Sequence, residues 1–208
     1  ECAASVFGAN RVAAATMEML TTGATAGRSA GGYAQGIAAD TIDEKRVAAL
    51  IDQMIEPLRR KDGARPAELR QRLAEVSQEK LGPIRTEEGL TEYLAFLAGL
   101  KDKLEDVCTQ ATTRRYNKEW IEALNLVNMV QVQEMSARAA LARTESRGVH
   151  YREDFPDTDN DRWLKQIVVK HQDGGPEIST RPVTVTRMTP PRGVLPYLDM
   201  IKRMMDGH

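Results

Sequence analysis

Sulfur, imidazole, aromatic rings and unbalanced charge are all scarce in this chain of 208 residues. Its two cysteines, Cys2 and Cys108, exclude a disulfide framework and a four-thiolate metal site. The three histidines, His150, His171 and His208, are dispersed, and none has a second His or a Cys at metal-ligand spacing. Phe, Trp and Tyr make up 5% of the residues, so aliphatic side chains must build the core. With 29 basic and 30 acidic side chains the formal net charge is -1, which argues against a general electrostatic grip on nucleic acid or anionic lipid. Apolar runs such as Ile167-Val168-Val169 are far too short to span a bilayer. The chain opens at Glu1-Cys2-Ala3 without an initiator Met or a signal-peptide pattern, and it reads as the continuation of a longer sequence.

What the sequence does contain is helical periodicity. The segment 1–39 is rich in Ala, Gly, Thr and Ser. It predicts one modest helix over Ala14–Ala26, a flexible stretch over Gly27–Gly32, and a need for neighbours, because small side chains bury little apolar area. Thr41-Ile42-Asp43-Glu44 has the form of a capping box. After it, Val47, Leu50, Ile51, Met54, Ile55 and Leu58 trace one helical face, which Pro57 should kink or close. Lys61-Asp62-Gly63 predicts a turn. Pro66 should start a second helix carrying Leu69, Leu73 and Val76, stopped by Gly82-Pro83. A third follows Thr86 to about Val107, with Leu90, Tyr93, Leu94, Leu97, Leu100 and Leu104 on its buried face. Asn117 caps a fourth reaching about Arg143, with Ile121, Leu124, Val127, Met135 and Ala139 close to one stripe.

Four amphipathic helices with short links predict a mainly α fold, an antiparallel bundle over 40–148. Beyond Gly148 the pattern shifts to an acidic loop, Glu153–Asp161, with five carboxylates in nine residues. Two β-branched runs follow, Trp163–Val169 and Ile178–Val185, joined by a turn at Asp173-Gly174, and Tyr197–Met205 forms a last short helix. The units expected are therefore 1–39, 40–148 and 149–208.

No catalytic constellation emerges from spacing alone. His171 and His208 read as surface residues, and His150 reads as a structural, hydrogen-bonded histidine rather than a general base. In Gly8-Ala9-Asn10-Arg11 the glycine permits close backbone approach and the Arg offers a planar fork to a carboxylate or phosphate, just ahead of a helix N-terminus. The same four residues also fit a plain loop with a surface Arg. Asp157, Asp159 and Asp161 have calcium-loop spacing but lack the glycine and the distal glutamate of such a loop.

Several of these segments occur together in one family. Glu1-Cys2 followed by Gly8-Ala9-Asn10-Arg11 resembles the GEC…HGANRLGxNSL segment of succinate dehydrogenase and fumarate reductase flavoproteins. Ala142-Arg143-Thr144-Glu145-Ser146-Arg147-Gly148-Val149-His150-Tyr151-Arg152-Glu153-Asp154 resembles that family's AR-x-ESRGAH-x-R-x-D. Asp159–Lys165 is similar to its RDD-x-x-WLKH, and Leu81–Thr86 to its entry into the helical domain. The landmarks keep the family's order from Glu1 to about Val185.

The resemblance implies the C-terminal part of an FAD-dependent oxidoreductase that interconverts a succinate-like and a fumarate-like dicarboxylate by hydride transfer at flavin N5. Segment 1–39 is then a remnant of the FAD-binding domain. No GxGxxG fingerprint follows a strand, so FAD would be held mainly by a separate half, without which the chain should not turn over. Residue by residue, Glu1 matches an FAD-contacting glutamate and Arg11 the arginine that clamps a substrate carboxylate. Thr16 and Met17 fall on a Ser-Leu pair whose amides face the flavin. The resemblance implies no catalytic residue within the chain and no metal site.

Two departures bear on the substrate. Phe7 replaces the family's histidine, and Ala13-Ala14-Ala15-Thr16 replaces Gly-x-Asn-Ser. Both make the flavin-facing pocket more apolar, so a relative acting on a different acid fits as well. Implied partners are the N-terminal FAD-binding half and an iron-sulfur electron-transfer subunit. The implied location is cytoplasmic, peripheral on the inner face of the membrane through partner subunits. The alternative is a non-catalytic helical module that docks an electron-transfer partner, a role in which Arg11 would have no part.

Overall fold

The structure, a computed structural model, describes residues 15–38, 40–172, 175–185 and 190–206. Its first helix, α1 (Ala15–Gln35), stays helical through Gly27–Gly32, beyond the end at Ala26 that composition suggests. Each glycine weakens a helix by about 1 kcal/mol but, unlike proline, breaks no backbone hydrogen bond. The expected stop therefore lacks a breaker.

Helix α2 (Glu44–Arg59) starts two residues later than a capping box at Thr41 requires, because Asp43 is the cap and accepts from the amides of Lys45 and Arg46. Pro57 lies in its last turn, where the Pro57 carbonyl accepts from the amide of Thr109 at 3.0 Å. The helix runs two residues past the proline, to Arg59, and is tied at Pro57 to a distant loop. Of its apolar stripe, only Ile55 and Leu58 are buried.

Helices α3 (Pro66–Lys80), α4 (Glu87–Glu105) and α5 (Lys118–Ala142) form the core. Pro66 stands at the first position of α3, Thr86 caps α4 through the Gly89 amide, and Asn117 caps α5 through the Trp120 amide. Leu69, Leu73, Leu90, Tyr93, Leu97, Leu100, Leu126 and Val130 pack together at the centre. On α5 the buried stripe is Ala123, Leu126, Val130, Glu134, Ala137 and Ala140, whereas Ile121 and Val127 of the expected stripe are exposed. Ala123, Ala137 and Ala140 face inward there together with Leu126 and Val130, while Leu124 and Met135 of the expected stripe are half-buried. Hydrophobicity alone points to the wrong side of this helix.

One turn of the bundle depends on a missing side chain. Gly63 has φ +149°, and a Cβ on it would lie 1.8 Å from the Asp106 carbonyl. That close approach lets Ala64 accept from the Cys108 amide, and it buries Cys108 with its thiol 3.4 Å from the Gly63 carbonyl.

After the bundle the chain is built from short pairings. Strand β1 (Ile84–Arg85) runs parallel to β2 (Tyr151–Arg152). Strand β3 (Asp157–Asp159) leads into α6 (Asn160–Trp163) and pairs antiparallel with β6 (Val194–Pro196). The hairpin is β4 (Lys165–Gln172) with β5 (Gly175–Pro182), in a register that sets Val169 opposite Ile178. It starts two residues later than the β-branched run suggests, because Trp163 closes α6 instead. The expected turn residues Asp173 and Gly174 lie outside the described residues. A final helix, α7 (Tyr197–Asp206), ends the described chain. No helix among the described residues is long and apolar enough to cross a membrane.

Candidate functional site

Of the four residues that the sequence assigns to a flavin-substrate site, Glu1 and Arg11 lie outside the described residues. Thr16 and Met17 stand at the start of α1, and the Thr16 side chain is exposed. An exposed hydroxyl at a helix start is compatible with one polar edge of a flavin.

What the structure does assemble is a joint of buried charge, and three of the segments quoted above meet in it. Glu145 is at its centre, fully buried, and is held by the guanidinium groups of Arg143 and Arg147. Its second carboxylate oxygen accepts from the Asp159 amide at 2.8 Å, and Arg147 reaches on to Asn160 Oδ1 at 2.7 Å. Arg143 also lies over the Trp163 ring, whose indole N–H donates to Thr144. A buried carboxylate needs this many partners, because one left alone would pay several kcal/mol of lost hydration.

Arg152 is the second anchor. Its side chain is wholly buried, donates to Asp154 through two 2.7 Å bonds, and caps the end of α5 at the Ala140 and Leu141 carbonyls. A cation at a helix C-terminus is stabilised by the helix dipole. Asp154 also accepts from the Glu87 amide at 2.8 Å, so the Arg152–Asp154 pair ties the start of α4 to the end of α5. The Arg152 guanidinium holds Asp154 below the usual carboxylate range. Burial alone would raise Asp159, but the Arg162 amide and guanidinium bring it below that range instead.

His150 is buried in the same joint. Its Nδ1 lies 2.9 Å from Arg85 Nη1, and its Nε2 lies 3.4 Å from the Arg143 carbonyl. Arg85 can only donate, so Nδ1 accepts and Nε2 carries the proton. Burial, followed by the Arg85 charge, lowers its pKa to about 4. Neutral at pH 7 and engaged at both nitrogens, this histidine holds structure and has no lone pair left for a substrate proton. The acidic stretch 153–161 is also unlike a solvated loop: Thr158, Asp159 and Asn160 are buried, and Asp159 caps α6.

The contact between Arg85 and His150, 65 positions apart, could not be read from periodicity. Its only signal was that both residues sit in segments matching one family. Among the described residues no group of three or more His, Cys, Asp or Glu could hold a metal ion. One cavity of about 420 Å³ opens between the α4–α5 seam and the hairpin tip, beside Lys101, Val130, Glu134 and His171. Another, of about 470 Å³, lies beside Glu79, Lys80, Glu92 and Glu153. Thr16 lines neither of them.

The segments that meet in this joint, Leu81–Thr86, Ala142–Asp154 and Asp159–Lys165, are the ones whose motifs resemble the flavoprotein family. A family model described as "Fumarate reductase flavoprotein C-term" matches residues 70–194, and the chain belongs to that family. A fumarate reductase (CoM/CoB) subunit of Methanothermobacter marburgensis is 34% identical over 176 residues, 83% of this chain and 31% of that protein. The succinate dehydrogenase flavoprotein subunit of Coxiella burnetii is 36% identical over 132 residues, 64% of this chain and 21% of that protein. In structure, Mycobacterium smegmatis Sdh1 in complex with UQ1 superposes with a TM-score of 0.68 at 28% identity, over 79% of this chain and 28% of that one. The chain spans a third or less of the length of these relatives.

Proposed function

We propose that this chain is the C-terminal portion of an FAD-dependent oxidoreductase that interconverts a succinate-like and a fumarate-like dicarboxylate. It acts together with an FAD-binding half, and the units within it are 1–39, a remnant of the FAD-binding domain, the bundle 40–148, and the segment 149–208. When bound, the flavin supplies hydride transfer at N5. Arg11 holds a substrate carboxylate, because its planar guanidinium presents two donors in the geometry that a carboxylate accepts. Glu1 contacts the FAD. Thr16 and Met17, at the start of α1, turn backbone amides toward the flavin, where a helix N-terminus favours negative charge on the reduced ring.

The observation that carries this reading is the family match over residues 70–194. Phe7 and the alanines 13–15 make the pocket more apolar than in a succinate enzyme, which favours a less polar acid of the same class. Electrons pass to or from an iron-sulfur protein, and association with the inner face of a membrane comes through partner subunits.

The test is reconstitution. The chain mixed with the FAD-binding half should bind flavin and reduce fumarate with a reduced dye. Arg11→Ala should lower that turnover about a hundredfold, the loss expected when a charged clamp on the reacting acid is removed. Bound flavin with turnover unchanged by Arg11→Ala would show that the substrate assignment is wrong.

A further inference from the structure

The cavity between the α4–α5 seam and the hairpin tip has two unlike walls. Leu104 of α4 and Val127, Val130 and Met135 of α5 make one of them, an aliphatic surface on which Val127 is 51% exposed. The hairpin makes the other, and its charged or polar side chains there are Lys170 and His171 of β4. At the hairpin tip a Cβ on Gly175 would meet nothing within 4 Å, so the entrance is free. A volume of about 420 Å³ falls within the range of about 300–1,000 Å³ typical of small-molecule sites, which are mostly apolar and carry a few placed polar groups.

The ionic groups on the two walls differ in what they already hold. On the helix side Glu134 is buried and accepts from both Lys101 and Arg138, so its carboxylate is fully engaged. On the hairpin side neither Lys170 nor His171 has a side-chain hydrogen bond or ion pair among the described residues. Glu177, directly across from Lys170, accepts instead from the Gln172 amide group at 2.7 Å. Two unengaged donors thus face an aliphatic wall.

Glu105, at the end of α4, is a lining carboxylate without a cation partner among the described residues. It repels an anion from that end and directs it to the hairpin. An ammonium beside an apolar wall, partly shielded from water, attracts an anion more strongly than one in open solvent. The combination selects a ligand with an aliphatic body and a single negative head.

We propose that this cavity binds a medium-chain aliphatic carboxylic acid, with its chain on Leu104, Val127, Val130 and Met135 and its carboxylate on Lys170 and His171. Lys170 supplies the charge and His171 a second donor, while each methylene laid on the helix wall leaves water. The site is built from the bundle and the hairpin alone, so it stands whether or not the oxidoreductase reading does.

The test is calorimetric titration of the full chain with decanoate, below the concentration at which it forms micelles. One saturable site is expected. Val127→Glu puts a carboxylate on the aliphatic wall and Lys170→Glu reverses the charge of the head site, and each should weaken binding about tenfold or more. Both side chains are exposed, so both variants should keep the helix content and unfolding midpoint of the unaltered chain. Decan-1-ol, the uncharged analogue, should bind more weakly than decanoate and should not respond to Lys170→Glu. No saturable binding of decanoate, or binding that neither variant weakens, overturns the site. An alcohol that binds as tightly as the acid, or a loss confined to Val127→Glu, overturns the assignment of a carboxylate to Lys170.

Discussion

Helices α2 and α5 reverse what their sequences suggest about burial. The stripe on α2 is continuous, yet most of it faces water, whereas α5 has its larger aliphatic residues scattered around the helix and is the most enclosed element of the bundle. Periodicity reveals that a helix has two faces. It does not reveal which face finds a partner, and on α5 the inward side mixes the small residues Ala123, Ala137 and Ala140 with Leu126, Val130 and a glutamate, Glu134. The bundle from α3 to α5 satisfies itself, while α1 and α2 present surface that the rest of the described chain does not cover.

The largest expected effect lies in the closed region. Leu126 is fully buried between α4 and α5, and Leu126→Ala should cost about 2–5 kcal/mol in urea unfolding, the range for a cavity in a packed core. A loss below about 1 kcal/mol would mean that the core around α5 is loose and that the contrast with α2 is overstated.

A second effect comes from the joint that locks the bundle to the short strands. His150 takes up a proton at about 4 when folded but near its ordinary 6.5 when unfolded. The unfolded chain therefore binds the proton first, and stability is lost as pH falls from about 6.5 toward 4, by on the order of 3 kcal/mol. Asp154 and Asp159, held below their ordinary value of 3.8, contribute to a separate loss at lower pH. Thermal melts of His150→Gln should be flatter between pH 6.5 and 4 than those of the unaltered chain. Equal slopes would show that His150 is not held neutral.

The smallest effect belongs to the open face. Leu50→Ala should change the stability of the isolated chain by no more than about 0.5 kcal/mol in the same urea experiment, because half of that side chain is already in water. A loss as large as that of Leu126→Ala would mean that α2 is covered after all.

Much of this was legible in the sequence, for identifiable reasons. Pro66, Thr86 and Asn117 marked three helix starts because the chemistry of a helix end is local. The hairpin followed from β-branched runs, although its first strand starts at Lys165 because Trp163 closes α6. Two features were not legible. The parallel pairing of β1 with β2 and the Arg85–His150 contact join residues far apart in sequence, and neither leaves a periodic trace. Gly27–Gly32 looked like a break, but glycine keeps its N–H donor, and the helix continues to Gln35. For the site, only Thr16 and Met17 fall among the described residues, so the roles of Glu1 and Arg11 rest on their resemblance to the family's motif.

Native-state hydrogen exchange on the full chain, alone and with the FAD-binding half, tests the contrast between the two regions most directly. Alone, the amides of α1 and the first two turns of α2 should exchange far faster than those of α4 and α5, and addition of the FAD-binding half should slow them. Protection of α1 and α2 equal to that of α4 and α5 in the chain alone would contradict the division into a closed bundle and two exposed first helices.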